Sequence, residues 1–196
     1  MKLYYSKTSP FARKVIISAL KLELKNMLEL TAVDVFNDPV YNKINPLVKV
    51  PALELKTGQI LTNSPFICDY LNSISTKKNL FASAELKWHD LQLQSLADGM
   101  MDALVLRRLE SLRTIDKQDP AFDQRQKDKV LNVLRYFNEN TSTLKSEWTI
   151  GEISLACALG YLEFRFANEN LLATFPEVQQ WYFESKKTAW MLETLP

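Results

Sequence analysis

A small α/β domain followed by an all-helical domain is the fold this sequence predicts. Three observations carry it. Every strand-like run lies between Lys2 and Leu61, the polar stretch Ser73–Asn79 (SISTKKN) follows, and beyond it only helical periodicity remains. In the first part, Lys2–Tyr5 is a short strand. Pro10–Leu22 reads as a helix because Phe11, Val15, Ala19 and Leu22 recur at helical spacing. Met27–Val35, with apolar residues at Leu28, Leu30 and Val35, reads as a second strand. Asn37–Pro46, broken by Pro39 and Pro46, is a loop with room for one helical turn. Pro51–Leu55 and Gln59–Leu61 flank Lys56-Thr57-Gly58, a hairpin signal. Ser64–Ile74 is a helix with Ile67, Tyr70, Leu71 and Ile74 on one face. The predicted order is β-α-β-(α)-β-β-α.

The second part holds four helical patterns. The first runs from Ala84 to Arg113 and carries Leu86, Leu93, Leu96, Met100 and Leu104. Asp119-Pro120 opens another, reaching Leu144. Thr149 to Ala167 places Ile150, Ile153, Cys157, Tyr161 and Phe164 on one stripe. Phe175-Pro176 starts the fourth. The expected domains are residues 1–76 and 84–196, joined by a linker at 77–83.

The chain is 46% hydrophobic and 24% charged, the balance of a globular protein with a core. Lys and Arg number 24 against 23 Asp and Glu, without a basic block, so nucleic acid is not an expected partner. MKLYYSKTSP lacks the apolar core of a signal sequence, and no later run is long enough to span a bilayer. No membrane association and a cytoplasmic location are therefore expected. Cys68 and Cys157 lack the spacing of a redox pair or metal site and read as small buried hydrophobes. His89 is the only histidine, which argues against a histidine-based triad or a zinc site, and no metal is expected.

Two helix openings share one chemistry: TSPFA at 8–12 and NSPFI at 63–67. Each is read with Ser at the N-cap, accepting from an orphan backbone N–H, and Pro at the first helical position, where its missing N–H costs nothing. Two good caps suffice to explain the pattern. The same openings also suit an anionic ligand, because a helix N-terminus offers free N–H donors and a partial positive charge. A ligand with both a carboxylate and a thiolate would fit a pair of them. A free thiol, with a pKa of about 8.5, needs a donor and a positive field to ionise at neutral pH. A serine at a helix start supplies the donor and the helix supplies the field. Val50-Pro51, at the entrance of a strand, adds a third element. A trans, edge-of-strand proline is the commoner reading of these residues, whereas a cis bond would turn the Val50 N–H and C=O outward.

Ser9-Pro10-Phe11-Ala12-Arg13-Lys14-Val15, Asn45-Pro46-Leu47-Val48-Lys49-Val50-Pro51-Ala52-Leu53 and Asn63-Ser64-Pro65 resemble the N-terminal domain of glutathione transferases. LADGMMDALVLRRLE (96–110), TIGEISLACALGYLEFR (149–165) and the ending FPEVQQWYFESKKTAWMLETLP resemble the helical domain of small bacterial, serine-type members. The resemblance implies a thioredoxin-like domain followed by an all-helical one, glutathione as co-substrate, and a homodimer. It also implies conjugation of glutathione to a small apolar electrophile, as in detoxification. By similarity, Val50 precedes a cis-Pro51 and pairs with the cysteinyl part of glutathione. Ser64 would bind the γ-glutamyl carboxylate, with Lys49 and Asn63 as further glutathione contacts. Ser9 stands where thiol-redox relatives carry the first Cys of a Cys-Pro-x-Cys motif, and serine-type members use such a hydroxyl to stabilise the glutathione thiolate.

This sequence departs from the family pattern at Asn63, where an acidic residue is usual, and at Val48, where Gly is common. Thr149-x-x-Glu152 matches the family's capping box, with Glu in place of Asp. Thr149 and Glu152 are read as a folding element, worth about 1 kcal/mol if the threonine is lost. Tyr5, Ser6 and Thr8 compete with Ser9 for the thiol. Along the long helix, Asp98, Met100, Met101, Asp102, Arg107 and Arg108 read as a core stripe with a charged face, although the corresponding helix in the family lines the electrophile pocket and dimer face. Three function classes follow: a glutathione transferase, a glutathione-binding or protein-interaction module with little activity, and a thiol–disulfide oxidoreductase. The last needs a cysteine where Ser9 stands.

Overall fold

The structure, a computed structural model, describes residues 1–144 and 147–195. The chain divides into two compact units, one of residues 1–82 together with 189–196 and the other of residues 83–188.

In the first unit the elements are β1 (Lys2–Tyr5), α1 (Pro10–Lys21), β2 (Glu29–Ala32), α2 (Tyr41–Ile44), β3 (Ala52–Glu54), β4 (Ile60–Thr62) and α3 (Ser64–Ile74). The sheet order is β2-β1-β3-β4. β1 runs parallel to β2 and antiparallel to β3, and β3 is antiparallel to β4. This is the thioredoxin-like arrangement. β2 is an edge strand, shorter than Met27–Val35, and its residues are largely exposed; just beyond it the Val33 N–H still donates to the Tyr5 carbonyl at 2.9 Å. α1 and α3 pack against each other, burying Ala12, Val15, Ala19, Ile67, Cys68 and Leu71. Phe11, expected on the buried face of α1, is only half-buried. A second cluster joins Tyr4, Tyr41 and Ala52, flanked by Val33, Val35, Ile44, Val50 and Ile60. Leu80, inside the expected linker, is buried, and its N–H donates to Asn72 Oδ1 at 2.7 Å.

Two turns use left-handed backbone. Gly58, at φ +84°, closes the β3–β4 hairpin and donates its N–H to the Leu55 carbonyl at 3.0 Å. Val48 adopts φ +50° in the loop before β3. A β-branched residue is strained in that region, where glycine is not. The family's usual glycine thus meets a backbone requirement that this chain satisfies at a cost. Val48→Gly is expected to stabilise the protein by about 1 kcal/mol, read as a shift of the urea midpoint at constant slope.

The second unit contains α4 (Lys87–Ser111), α5 (Pro120–Glu139), α6 (Ile150–Phe166) and α7 (Pro176–Ser185). Asp119 caps α5 by accepting from the Phe122 N–H at 3.0 Å. α5 stops at Glu139, short of Leu144, where the Thr141 hydroxyl donates back to the Phe137 carbonyl at 2.9 Å and a short 3₁₀ turn follows. α6 is buried on every side from Ile150 to Leu162 rather than along one stripe. It is the central helix of the unit, packed against α4 and α7.

The start of α6 is built from both ends of the capping box and from α4. The Thr149 N–H donates to Glu152 Oε2 at 2.8 Å, and the Thr149 hydroxyl donates to Asp90 Oδ1 at 2.5 Å. Asp90 also accepts from the Gly151 N–H at 2.8 Å, so a buried carboxylate on α4 satisfies helix-start groups of α6. Gly151 makes this approach possible, since a Cβ there would lie 2.8 Å from both Asp90 Oδ1 and Leu93 Cβ.

The last helix, α8 (Ala189–Glu193), packs with the first unit rather than the second. Arg13 on α1 donates to the Met191 carbonyl at 3.0 Å and to Thr194 Oγ1 at 3.1 Å, and Lys25 pairs with Glu193. Among the described residues, no helix is long and apolar enough to cross a membrane.

Candidate functional site

Strand register brings three sequence-distant segments to one end of the sheet. Tyr5 pairs with Ala32, Tyr4 opposes Ala52, and Ala52 opposes Thr62. The C-terminal ends of β1, β2 and β4 therefore share an end with the start of β3. Ser9 follows β1 through a turn in which its N–H donates to the Ser6 carbonyl at 3.1 Å. Val50-Pro51 directly precedes β3, and Asn63-Ser64 directly follows β4. α1 and α3 follow strands that point the same way, so their N-termini open at this end. Neither has an acidic residue in its first turn, which leaves both positive helix ends uncompensated.

Ser9 is the N-cap of α1, accepting from the Ala12 N–H at 3.2 Å, with Pro10 at the first helical position. Capping uses one lone pair. The hydroxyl proton has no acceptor among the described residues and remains free to donate.

Ser64 departs from the expected cap. It is the first residue of α3, and the N-cap is Asn63, whose side chain makes no capping bond. Asn63 adopts φ +70° and ψ 122°, a strained conformation of the kind that clusters at ligand sites. With the turn taken there, Ser64 is 1% exposed and its Oγ has no hydrogen-bond partner. A buried hydroxyl left unpaired costs roughly 1–3 kcal/mol and is uncommon in a native fold. The Asn63 side chain is exposed.

The Val50–Pro51 bond is cis. The Val50 N–H and C=O have no partner among the described residues. The preceding carbonyl is held instead: Lys49 O accepts from the Tyr41 hydroxyl at 2.8 Å and from Asn45 Nδ2 at 2.6 Å. Asn45 Oδ1 accepts in turn from the Leu47 N–H at 3.0 Å. Lys49 itself is exposed. Tyr41 is fully buried, its hydroxyl pushed up to about 12 by that burial. Its ring meets Tyr4 edge-on at 6.0 Å. Tyr4 donates to Glu54 at 2.6 Å, and this bond drives its own hydroxyl up to about 12. Tyr41 carries no sequence signal for such a role. Asn45 lies inside the quoted motif, but only its side-chain bonds show its part.

Residues 3–78 match the family model described as the glutathione S-transferase N-terminal domain. The chain is 33% identical over 174 residues to the uncharacterized GST-like protein YibF of Escherichia coli (strain K12), covering 84% of this chain and 83% of that protein. The chain belongs to the glutathione transferase family. A glutathione transferase family member from Pseudomonas fluorescens Pf-5, solved with bound glutathione, is 36% identical with a TM-score of 0.95, over 100% of this chain and 98% of that one. A glutathione S-transferase from Methylobacillus flagellatus KT, solved with glutathione bound, is 31% identical with a TM-score of 0.91, over 100% of this chain and 98% of that one.

Tyr5 lines a cavity of about 340 Å³ with Arg13, Ile16 and Leu20 of α1, which none of Ser9, Lys49, Val50, Asn63 and Ser64 lines. Ser6 and Thr8 place their hydroxyl oxygens 3.4 Å from one another. On α4, Met100 and Met101 are buried. Arg107 is a structural residue: it pairs with Asp123 at 2.9 Å and Glu169 at 2.7 Å and stacks on Phe166. Cys68 and Cys157 are both buried and neither is in a disulfide.

Proposed function

We propose that the chain is a glutathione transferase that binds glutathione at the shared end of the sheet and conjugates it to a small apolar electrophile. The observation that supports this most is a pair of serine hydroxyls with unspent hydrogen-bonding capacity, Ser9 and Ser64, at two helix starts that open together. Ser64 Oγ and the free N–H groups of the first turn of α3 receive the γ-glutamyl carboxylate. The Val50 N–H and C=O pair with the cysteinyl backbone. The Ser9 hydroxyl donates to the sulfur, and the uncompensated α1 N-terminus favours its negative charge. The thiol proton leaves to solvent, the thiolate forms a bond to the electrophilic carbon, and the leaving group or added proton balances the product.

Tyr5 is disfavoured as the sulfur donor because it lines a cavity that neither Ser9 nor Ser64 lines. Exposed Leu47 (64%) and Phe66 (67%) beside the site support the homodimer that the family implies. A second reading, a glutathione-binding module with little activity, is favoured by one feature: Asn63 is neutral where an acidic partner for the ligand's ammonium group is usual. Calorimetry with glutathione, beside conjugation assays on a panel of apolar electrophiles, tests both. The transferase reading expects binding and conjugation. Binding alone across the panel supports the second reading, and absence of binding contradicts both.

A further inference from the structure

We propose that Tyr41 and Asn45 are positioning residues that fix the Val50 N–H for its ligand, by clamping the other end of the same peptide unit. The Lys49 carbonyl and the Val50 N–H belong to one planar peptide group, so holding the carbonyl fixes the direction in which the N–H points. Two donors hold it, the Tyr41 hydroxyl at 2.8 Å and Asn45 Nδ2 at 2.6 Å. Such bonds also polarise the peptide and make its N–H a stronger donor. The clamp is anchored rather than adjustable. Tyr41 is fully buried and Asn45 is 1% exposed. Asn45 is locked further by the Leu47 N–H on its oxygen, and the Val48 N–H donates to its main-chain carbonyl at 2.8 Å. Behind Tyr41 stand Tyr4 and Glu54, on two neighbouring strands, so the sheet itself sets the position of the clamp.

Both donors are spent on a carbonyl that no regular element uses, in the peptide unit whose N–H, that of Val50, has no partner among the described residues. A loop that only needed closing would be closed by Asn45 alone, since it already spans Leu47 and Lys49. The second donor therefore serves the orientation of the peptide.

This inference rests on the glutathione reading for the identity of the ligand, but not for the clamp. The test uses Tyr41→Phe, which removes one hydroxyl and leaves Asn45 in place, with S-methylglutathione as a probe that has no free thiol. Calorimetry is expected to show affinity about three- to tenfold weaker than that of the parent, the value of one lost hydrogen bond. Nuclear magnetic resonance of the ligand-free protein is expected to show the Val50 amide shifted and exchanging faster, with the Ser64 amide unmoved. Asn45→Asp, which keeps the oxygen for Leu47 but loses the donor to Lys49, gives the same pair of changes. Unchanged affinity in both variants overturns the proposal, as does weaker binding with an undisturbed Val50 amide. If the parent protein does not bind S-methylglutathione, the glutathione reading falls while the Val50 amide still decides the clamp.

Discussion

Replacing Ser64 with Ala is expected to separate binding from folding, lowering glutathione affinity about 10- to 100-fold while making the protein more resistant to urea. The affinity loss is that of one hydrogen bond to a charged group, worth about 1.5–3 kcal/mol. The gain in stability follows from what the hydroxyl does without ligand. Its Oγ is buried and unpaired, so the ligand-free fold carries the desolvation cost of a polar atom that alanine lacks. Few substitutions at a well-packed position act in these opposite directions. Calorimetry and urea melts on the same preparation give both numbers. A variant that loses stability without losing affinity would show that the Ser64 hydroxyl serves the fold, and would remove it from the site.

Ser9→Ala is expected to raise the pKa of bound glutathione by about one to two units, from a charge-assisted bond of about 1.5–3 kcal/mol at 1.36 kcal/mol per unit. Conjugation at neutral pH falls about 10- to 100-fold, because less thiolate is present, and the pH–rate profile moves toward higher pH. Capping complicates this variant, since Ser9 also holds the Ala12 N–H. Ser9→Gly resolves it: glycine at an N-cap costs only a few tenths of a kcal/mol, against about 1 kcal/mol for alanine. The two variants should differ in stability and agree in the titration of the bound thiol. If neither moves that titration and Thr8→Val or Tyr5→Phe does, the donor is one of those hydroxyls.

Much of the first unit is legible in its sequence because local chemistry and tertiary need coincide there. The Ser9-Pro10 cap, the Gly58 turn and the apolar faces of α1 and α3 each follow from residue type and spacing. The limits have physical causes. TSPFA and NSPFI look alike, yet only the first has serine at the cap, because the turn after β4 is taken at Asn63 with positive φ. That one-residue difference is set by the strand end, and it leaves Ser64 Oγ unpaired. The Tyr41–Lys49 bond joins a helical turn to a loop with no periodicity to betray it. α6 gave a stripe because only its most apolar positions stand out in sequence, while its small residues are buried just as deeply. Nothing in residues 189–193 says which unit they join; Arg13 decides it through the Met191 carbonyl. Val48 stands where glycine is common in the family, and only the backbone angle, φ +50°, shows the conformation that favours glycine there.

Under the proposed function, this sheet end holds glutathione as a thiolate. An ultraviolet titration of the thiolate absorbance of glutathione bound to the unaltered protein tests it most directly. The geometry at Ser9 and the start of α1 predicts a midpoint at least about one unit below the value of about 8.5 for a free thiol. A midpoint at the free value, with glutathione demonstrably bound, would contradict it.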